Sequence, residues 1–274
     1  MKRLKVVILI VLAVTAMTGM GLVIAGFKSD WGWAYRPAAL RWLEGESPYL
    51  VTGAAWPFGN APWVLPFLAP FSLLPMEWGR QAMFYLNLGC YIYLLRRLKA
   101  GRLATAAFLL SPAVVLGLVT GQIEGLLSLG YVLPPALGLF FVAAKPQMGL
   151  GLAVFWLVEA WRLGGWRKIF VRFAPVGIAV LLSTWAFPEW LGSMLEIAPE
   201  RWNQGVWPQG LPVGVVLLTL AIRGTRKEWA IGSSVFFAPY LAGQTWASGL
   251  VALVGDGPLM ALACAALWVV FFLR

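Results

Sequence analysis

Four polar residues stand at breaks in an otherwise apolar chain: Asp30 in "KSDWGW", Gln122 and Glu124 in "TGQIEG", and Lys145 in "AAKPQM". A carboxylate at the mouth of a membrane cavity could act as a general base, because partial burial raises its pKa towards a useful range. A lone lysine beside a helix break could hold a phosphate as a point charge. Gln122 and Glu124 flank a glycine-rich turn and face one layer. Each has a plainer alternative. Asp30 could be a solvated acid ending a helix beside Lys28, Lys145 an interfacial lysine reaching for water, and Gln122–Glu124 an ordinary polar loop. Arg36, Arg41 and Arg201 could hold a second anionic group. Trp202, Trp207 and Trp246 could stack on sugar rings, or form an interfacial belt.

Several chemistries are absent from the pattern. The chain has no histidine, which removes the usual neutral-pH base and the commonest metal ligand. Cys90 and Cys264 lie inside apolar segments and match no disulfide framework or metal-binding spacing. There is no P-loop, GxSxG or HExxH motif. Neither a metal nor a cofactor is expected.

The elements that must position these residues are membrane helices. Of 274 residues, 61% are hydrophobic and 12% charged, and the mean hydropathy is +0.80. A soluble domain carries about 25% charged residues. Backbone in hydrocarbon must satisfy its own hydrogen bonds, and the apolar runs are too continuous for barrel strands. The expected fold is all-α and polytopic, a single integral membrane domain over 1–274. The net charge of +10 does not point to nucleic acid. Fourteen of the 21 basic residues fall in four clusters, Lys2–Lys5, Arg96–Arg102, Arg162–Arg172 and Arg223–Lys227. They do not form the single face of a nucleic-acid footprint. Long apolar segments separate them, as cytoplasmic connections do under the positive-inside rule.

If those clusters are cytoplasmic, each interval crosses the membrane an even number of times. The first apolar run reads as a retained signal anchor spanning 5–27, and a second span covers 77–95. Residues 28–76 are then external. In them, Trp33–Glu44 reads as a short interfacial helix, and prolines at 62, 66, 70 and 75 make 60–75 a dipping segment rather than a span. A third span covers 103–119, and 122–144 forms two half-length helices or one dipping hairpin. Further spans run to 161, over 172–187, up to 222, and from 227 to 241, with a second external loop at 188–210. Gly255–Gly257 is a possible turn in an ambiguous C-terminal region. The total is nine to eleven spans or half-spans, with Asp30, Gln122 and Lys145 on the external side.

The order of these pieces resembles the GT-C membrane glycosyltransferases, and most closely the polyprenyl-phosphate-mannose-dependent α-mannosyltransferase-like group, glycosyltransferase family 87. The similar segments are "SDWGWAYRPAALRWLEGESPY", the proline-rich Ala61–Pro75, "GQIEGLL", "LFFVAAKPQMGLGL" and "FFAPYLAGQTWASGLVAL". The resemblance covers most of residues 1–255 in order. It implies a GT-C-like fold that moves a sugar, mannose or another hexose, from a polyprenyl-phosphate donor to a hydroxyl of a glycan, lipid or protein acceptor. Transfer would invert the sugar at the external membrane face. Asp30 would be the base, and Lys145 with Arg201 would hold the donor phosphate. Arg36, Gln122, Glu124, Gln147 and Tyr240 would line the substrate site. The chain departs from the group in its short stretch between Gln122 and Lys145, and in having Trp31 where related enzymes often carry a second early acid. The alternatives are a non-catalytic membrane subunit or lipid-binding scaffold of a larger assembly, and a transporter. A transporter predicts pseudo-repeats between the halves, and none is visible.

Overall fold

The computed structural model describes residues 19, 21, 29–50, 56–196 and 203–273. The expected first span at 5–27 and Arg201 therefore lie outside the described residues. The fold is all-α: among the described residues 76% are helical and no strand occurs.

Asp30 opens a π-helical turn, Trp31–Tyr35, that runs into α1 (Arg36–Leu43). Pro37 explains the wide turn. It has no N–H for the Trp33 carbonyl, and the Arg36 N–H instead reaches back to the Trp31 carbonyl. The freed Trp33 carbonyl accepts the Trp56 N–H at 2.7 Å. A 3-10 turn, Pro62–Val64, leads into α2 (Leu65–Ser72), which packs on α1. Eight residues of α-helix extend about 12 Å, far less than the ~30 Å of a bilayer core. The proline-broken segment is thus short and local, as its spacing suggested.

α3 (Met76–Arg97) has 22 residues where a second span is expected, but Arg80 and Asn87 are buried along it. The expected span at 103–119 is two helices, α4 (Arg102–Leu109) and α5 (Pro112–Thr120), bent by 50°. Pro112 forces the bend, since a residue before proline leaves the α region, and Ser111 caps α5 by accepting the Val114 N–H at 3.3 Å. The 122–144 segment forms α6 (Glu124–Ser128), a 3-10 turn and α7 (Pro135–Val142). The two halves touch backbone to backbone at Gly130 and Gly138, where an added Cβ would come within 2.7 Å of a carbonyl.

α8 (Leu150–Ala186) is, among the described residues, the one helix long and apolar enough to cross a membrane; the bent α4–α5 pair would be a second if taken as one span. α8 is not straight. Gly165 has φ 56° and ψ −145°, open only to glycine, and Arg172 Nη1 meets Glu159 Oε2 at 2.5 Å. Thirteen residues of straight helix would hold those side chains about 20 Å apart along the axis. The chain therefore folds back at Gly164–Gly165, inside the basic cluster Arg162–Arg172 where the connection between two helices is expected, and that connection is a tight turn.

The second loop holds α9 (Trp190–Glu196), and α10 (Leu211–Gly224) follows it. The span expected from 227 to 241 does not form. α11 (Lys227–Ser233) is seven residues long and ends in a 3-10 turn, Ser234–Phe236. Ser234 Oγ accepts the Gly151 N–H at 3.1 Å, which ties the segment to the start of α8, and Pro239 follows before helix can resume. α12 (Trp246–Leu250) and α13 (Gly257–Leu273) complete the fold. Gly255–Gly257 is indeed a turn, with Asp256 Oδ1 accepting the Leu259 N–H at 2.9 Å.

The buried core gathers around Trp31 and Tyr35, with Phe58, Leu65, Met83, Ile123 and Tyr131. Trp31 seats on Gly121, the left-handed residue (φ 74°) that ends α5. A Cβ at Gly121 would stand 2.7 Å from the Trp31 Cβ. Gly121→Ala is expected to destabilise the fold by about 1–3 kcal/mol through the positive φ and the clash. Thermal unfolding of the detergent-solubilised protein should show the lower midpoint.

Candidate functional site

The end of α5 sets the site. The Gly121 N–H bonds the Leu118 carbonyl and the Gln122 N–H the Gly117 carbonyl at 2.9 Å. This is a Schellman ending, and it turns Gln122 inward, where it is buried. Ser29 pins the facing segment: its hydroxyl donates to the Thr120 carbonyl at 3.3 Å and accepts the Gly32 N–H at 3.2 Å. Asp30 is thereby placed beside Thr120 and Gln122. The Thr120 hydroxyl donates to the Leu116 carbonyl at 2.9 Å.

A second line of polar groups runs away from Gln122. Tyr35 donates to Gln122 Oε1 at 2.5 Å. Asn60 Nδ2 donates to the Tyr35 hydroxyl at 3.5 Å, and Tyr49 donates to the Asn60 carbonyl at 2.7 Å.

Glu124 and Lys145 form a buried ion pair. Glu124 lies in the first turn of α6 and is 1% exposed. Its position is fixed by Gly125, whose α-carbon rests on Asn87, and by the Leu126 N–H bonding Asn87 Oδ1 at 2.9 Å. Lys145 is 6% exposed. Pro146 holds it in an extended conformation (φ −141°, ψ 83°), and the Ala61 N–H binds the preceding carbonyl at 3.1 Å. Lys145 Nζ bonds Glu124 Oε1, and the Thr245 hydroxyl lies 3.4 Å from the same oxygen. Glu124 Oε2 and Asn60 Oδ1 are buried without a hydrogen-bond partner.

Asp30, Gln122, Glu124, Lys145 and Tyr240 thus share one electrostatic neighbourhood. Burial is the main cause that raises the Asp30 carboxyl above the ordinary carboxylate range. The nearby polar side chains of Gln122 and Thr120 and the Lys145 charge oppose it, and the Glu124 charge adds to it. The half-exposed Tyr240 hydroxyl is also raised, first by burial and then by the Asp30 and Glu124 charges. Such a group of residues offers a proton acceptor, a cation and unpaired hydrogen-bond acceptors within one site.

Other sequence candidates sit elsewhere. Arg36 is half-buried on α1 with its Nε unpartnered, and Gln147 lies in the 3-10 turn after Lys145; no hydrogen bond among the described residues joins either to the cluster. Arg41 pairs with Glu46 at 3.4 Å. Trp246 packs on Phe236 and donates to the Gln204 carbonyl at 3.1 Å, while Trp207 is exposed. Trp202 and Arg201 are outside the described residues. Sequence reasoning missed Tyr35, Asn60, Thr245 and Arg80. Arg80 had a signal, an arginine within a helix of spanning length. It is 2% exposed and donates to the Val119 carbonyl at 2.7 Å.

Gln122, Glu124 and Lys145 are buried, while Asp30 and Tyr240 at the edge of the cluster are half-buried. A groove of about 380 Å³ lies along the start of α3, lined by Leu74, Pro75, Trp78, Gln81, Ala82 and Tyr85. None of the cluster residues lines it. Comparison with family models, with characterised proteins and with solved structures finds no match to this chain.

Removing one partner of a buried ion pair leaves an uncompensated charge, which costs about 3–5 kcal/mol, whereas replacing both by apolar groups is often neutral. Glu124→Leu and Lys145→Met are each expected to lower stability by about that amount, and the double variant to lose less than either. A double-mutant cycle on thermal or denaturant unfolding checks this.

Proposed function

We propose that this chain is a multi-pass membrane glycosyltransferase of the GT-C type. It moves a sugar, mannose or another hexose, from a polyprenyl-phosphate donor to a hydroxyl acceptor at the external membrane face, with inversion. The carrying observation is the convergence of Asp30, Gln122, Glu124 and Lys145, from three separate segments, on one buried cluster. In this reading Asp30 takes the proton of the acceptor hydroxyl. Its raised carboxyl suits a base working near neutral pH. The leaving phosphate needs no acid, being a stable anion, and the Lys145 ammonium stabilises its growing charge in a low-dielectric site. The unpaired acceptors Glu124 Oε2 and Asn60 Oδ1 suit a hydroxyl-rich ligand, which supplies donors. Tyr240, Gln147 and Arg36 complete the substrate side, and Arg201 assists at the phosphate.

The outward surface supports membrane residence. Phe170 is 73% exposed, Trp185 83% and Phe272 77%, and large contiguous apolar surface is uncommon on soluble monomers. In this reading the four basic clusters are cytoplasmic, which sets the N-terminus in the cytoplasm and residues 28–76 outside.

A second reading is favoured by the Glu124–Lys145 contact, which occupies the lysine meant for phosphate. In that reading the chain is a non-catalytic membrane subunit and the cluster only a structural clamp. Transfer assays with a radiolabelled polyprenyl-phosphate sugar separate the two. Asp30→Asn should abolish transfer with donor binding retained, and Lys145→Ala should weaken donor binding as well. Full transfer by Asp30→Asn transfers support to the subunit.

Topology is checked by cysteine labelling in a background free of Cys90 and Cys264. An impermeant external reagent should modify Ser47→Cys and Asn203→Cys but not Ala100→Cys or Gly164→Cys. External labelling at position 100 overturns the orientation.

A further inference from the structure

Basic clusters that lie far apart in the chain come together at one end of the fold. Arg162 Nη1 donates to the Ile222 carbonyl at 3.1 Å, which seats the α8 reversal on the last turn of α10, beside Arg223. Arg226 follows and lies over the Trp229 ring at 4.6 Å. A Cβ added at Gly255 would stand 3.9 Å from Arg226 Nη2. Two residues on, Gly257 rests on the start of α4, where an added Cβ would be 3.2 Å from the Leu103 Cβ. The turn from α3 to α4, with Arg96, Arg97 and Arg102, therefore adjoins the same end. α3 measures how far this end lies from Asp30. Its first turn meets the Asp30 segment, with Gly32 against Met76 and Gly79 against Trp31. Its last residue is Arg97. Twenty-two residues of helix extend about 33 Å, close to the ~30 Å of a bilayer core.

Bonding and exposure single out one part of this end. The α8 reversal is tight: a Cβ at Gly164 would be 3.3 Å from the Lys168 Cβ, and Trp161 meets Trp166 edge to face at 5.3 Å. Arg167, Lys168 and Arg223 are exposed, and no hydrogen bond or ion pair holds their side chains among the described residues. The acids nearby are otherwise engaged or turned in. Glu159 pairs with Arg172, Asp256 caps the first turn of α13, and Glu228 is half-buried on α11. The same reversal exposes Trp161, Leu163, Trp166 and Phe170. Cations interleaved with large apolar side chains do not suit a polyanion in solution. They suit a bilayer surface, where aromatic rings sit at head-group level and cations meet lipid phosphates. We propose that the α8 reversal and the end of α10 form a binding site for anionic phospholipid head groups. Arg167, Lys168 and Arg223 hold the phosphodiester, and Arg162 braces the two elements together. The site rests on the membrane reading given above, not on sugar transfer.

The full chain is reconstituted in phosphatidylcholine bilayers. Spin-labelled phosphatidylglycerol or phosphatidylcholine then reports, by electron paramagnetic resonance, how much of each lipid the protein immobilises. Phosphatidylglycerol should be preferred about fivefold or more, the factor that a single cation near a membrane surface supplies. The variant Arg167→Gln/Lys168→Gln/Arg223→Gln changes only exposed side chains and should retain the fold, read as unchanged immobilisation of phosphatidylcholine. Its preference for phosphatidylglycerol should fall towards unity. Removing the same number of charges in Arg96→Gln/Arg97→Gln/Arg102→Gln should cost much less, because that turn only adjoins the site. Inorganic phosphate, compared at matched ionic strength, should leave the preference in place. The proposal is overturned by an unmodified chain with no preference, by a first variant that keeps it, by an equal loss in the second variant, or by displacement with inorganic phosphate. A chain that immobilises neither lipid overturns the membrane reading and this site together. None of these outcomes bears on base catalysis, which is decided by transfer in Asp30→Asn.

Discussion

Burying the Glu124 carboxylate next to the Lys145 ammonium constrains the rest of this structure. Neither charge could be taken from water alone, because the desolvation cost of a lone buried ion is several kcal/mol. The pair therefore demands that the α5–α6 corner and the turn after α7 arrive at the same point. The backbone link from Ala61 to Ala144 and the Thr245 hydroxyl close the same junction from two further segments. Around it, the short helices α6 and α7 make sense as the means of delivering two charged groups to one depth without crossing the fold.

Close approach does the remaining positioning. Trp31 packs on Gly121 with no room for a Cβ, and Gly125 does the same against Asn87. These contacts fix where Asp30 and Glu124 stand relative to each other. The result is one site with two acids and one base in which the roles differ by environment. Glu124 bonds the Lys145 ammonium directly, while Asp30 feels that cation from further off. The same logic accounts for the relay of hydroxyl and amide groups behind Gln122. Tyr35, Asn60 and Gln122 are buried, so each one's orientation must come from another protein group.

Much of this was legible in the sequence as local rules. The all-helical class follows from long apolar runs that must satisfy their own backbone. Pro112, Pro135 and Pro146 mark the first residue of a helix or turn, and Gly121 marks an ending, because each acts through its own φ or missing N–H. The prolines at 62, 66, 70 and 75 kept their segment short for the same reason. Asp30, Gln122, Glu124 and Lys145 stood out as polar residues at those breaks. Where the sequence reading failed, tertiary contact had overridden composition. Residues 227–241 are apolar enough to suggest a span, yet Ser234 docks on the start of α8 and the helix stops. The reversal expected in the basic stretch 162–172 does occur, but helix continues almost up to Gly164–Gly165 on both sides and Arg172 reaches back to Glu159.

The sequence by itself determined where helices begin, bend and end, and which few residues could do chemistry, since those properties depend on neighbours within a turn or two. Only the tertiary structure decided the partnerships. Tyr35 and Gln122 are 87 positions apart, and Thr245 and Glu124 are 121 apart. Nothing in the spacing of the chain selects such pairs. They are chosen by the cost of leaving a buried polar group without a partner, and that cost is felt only once the helices have packed and water has left.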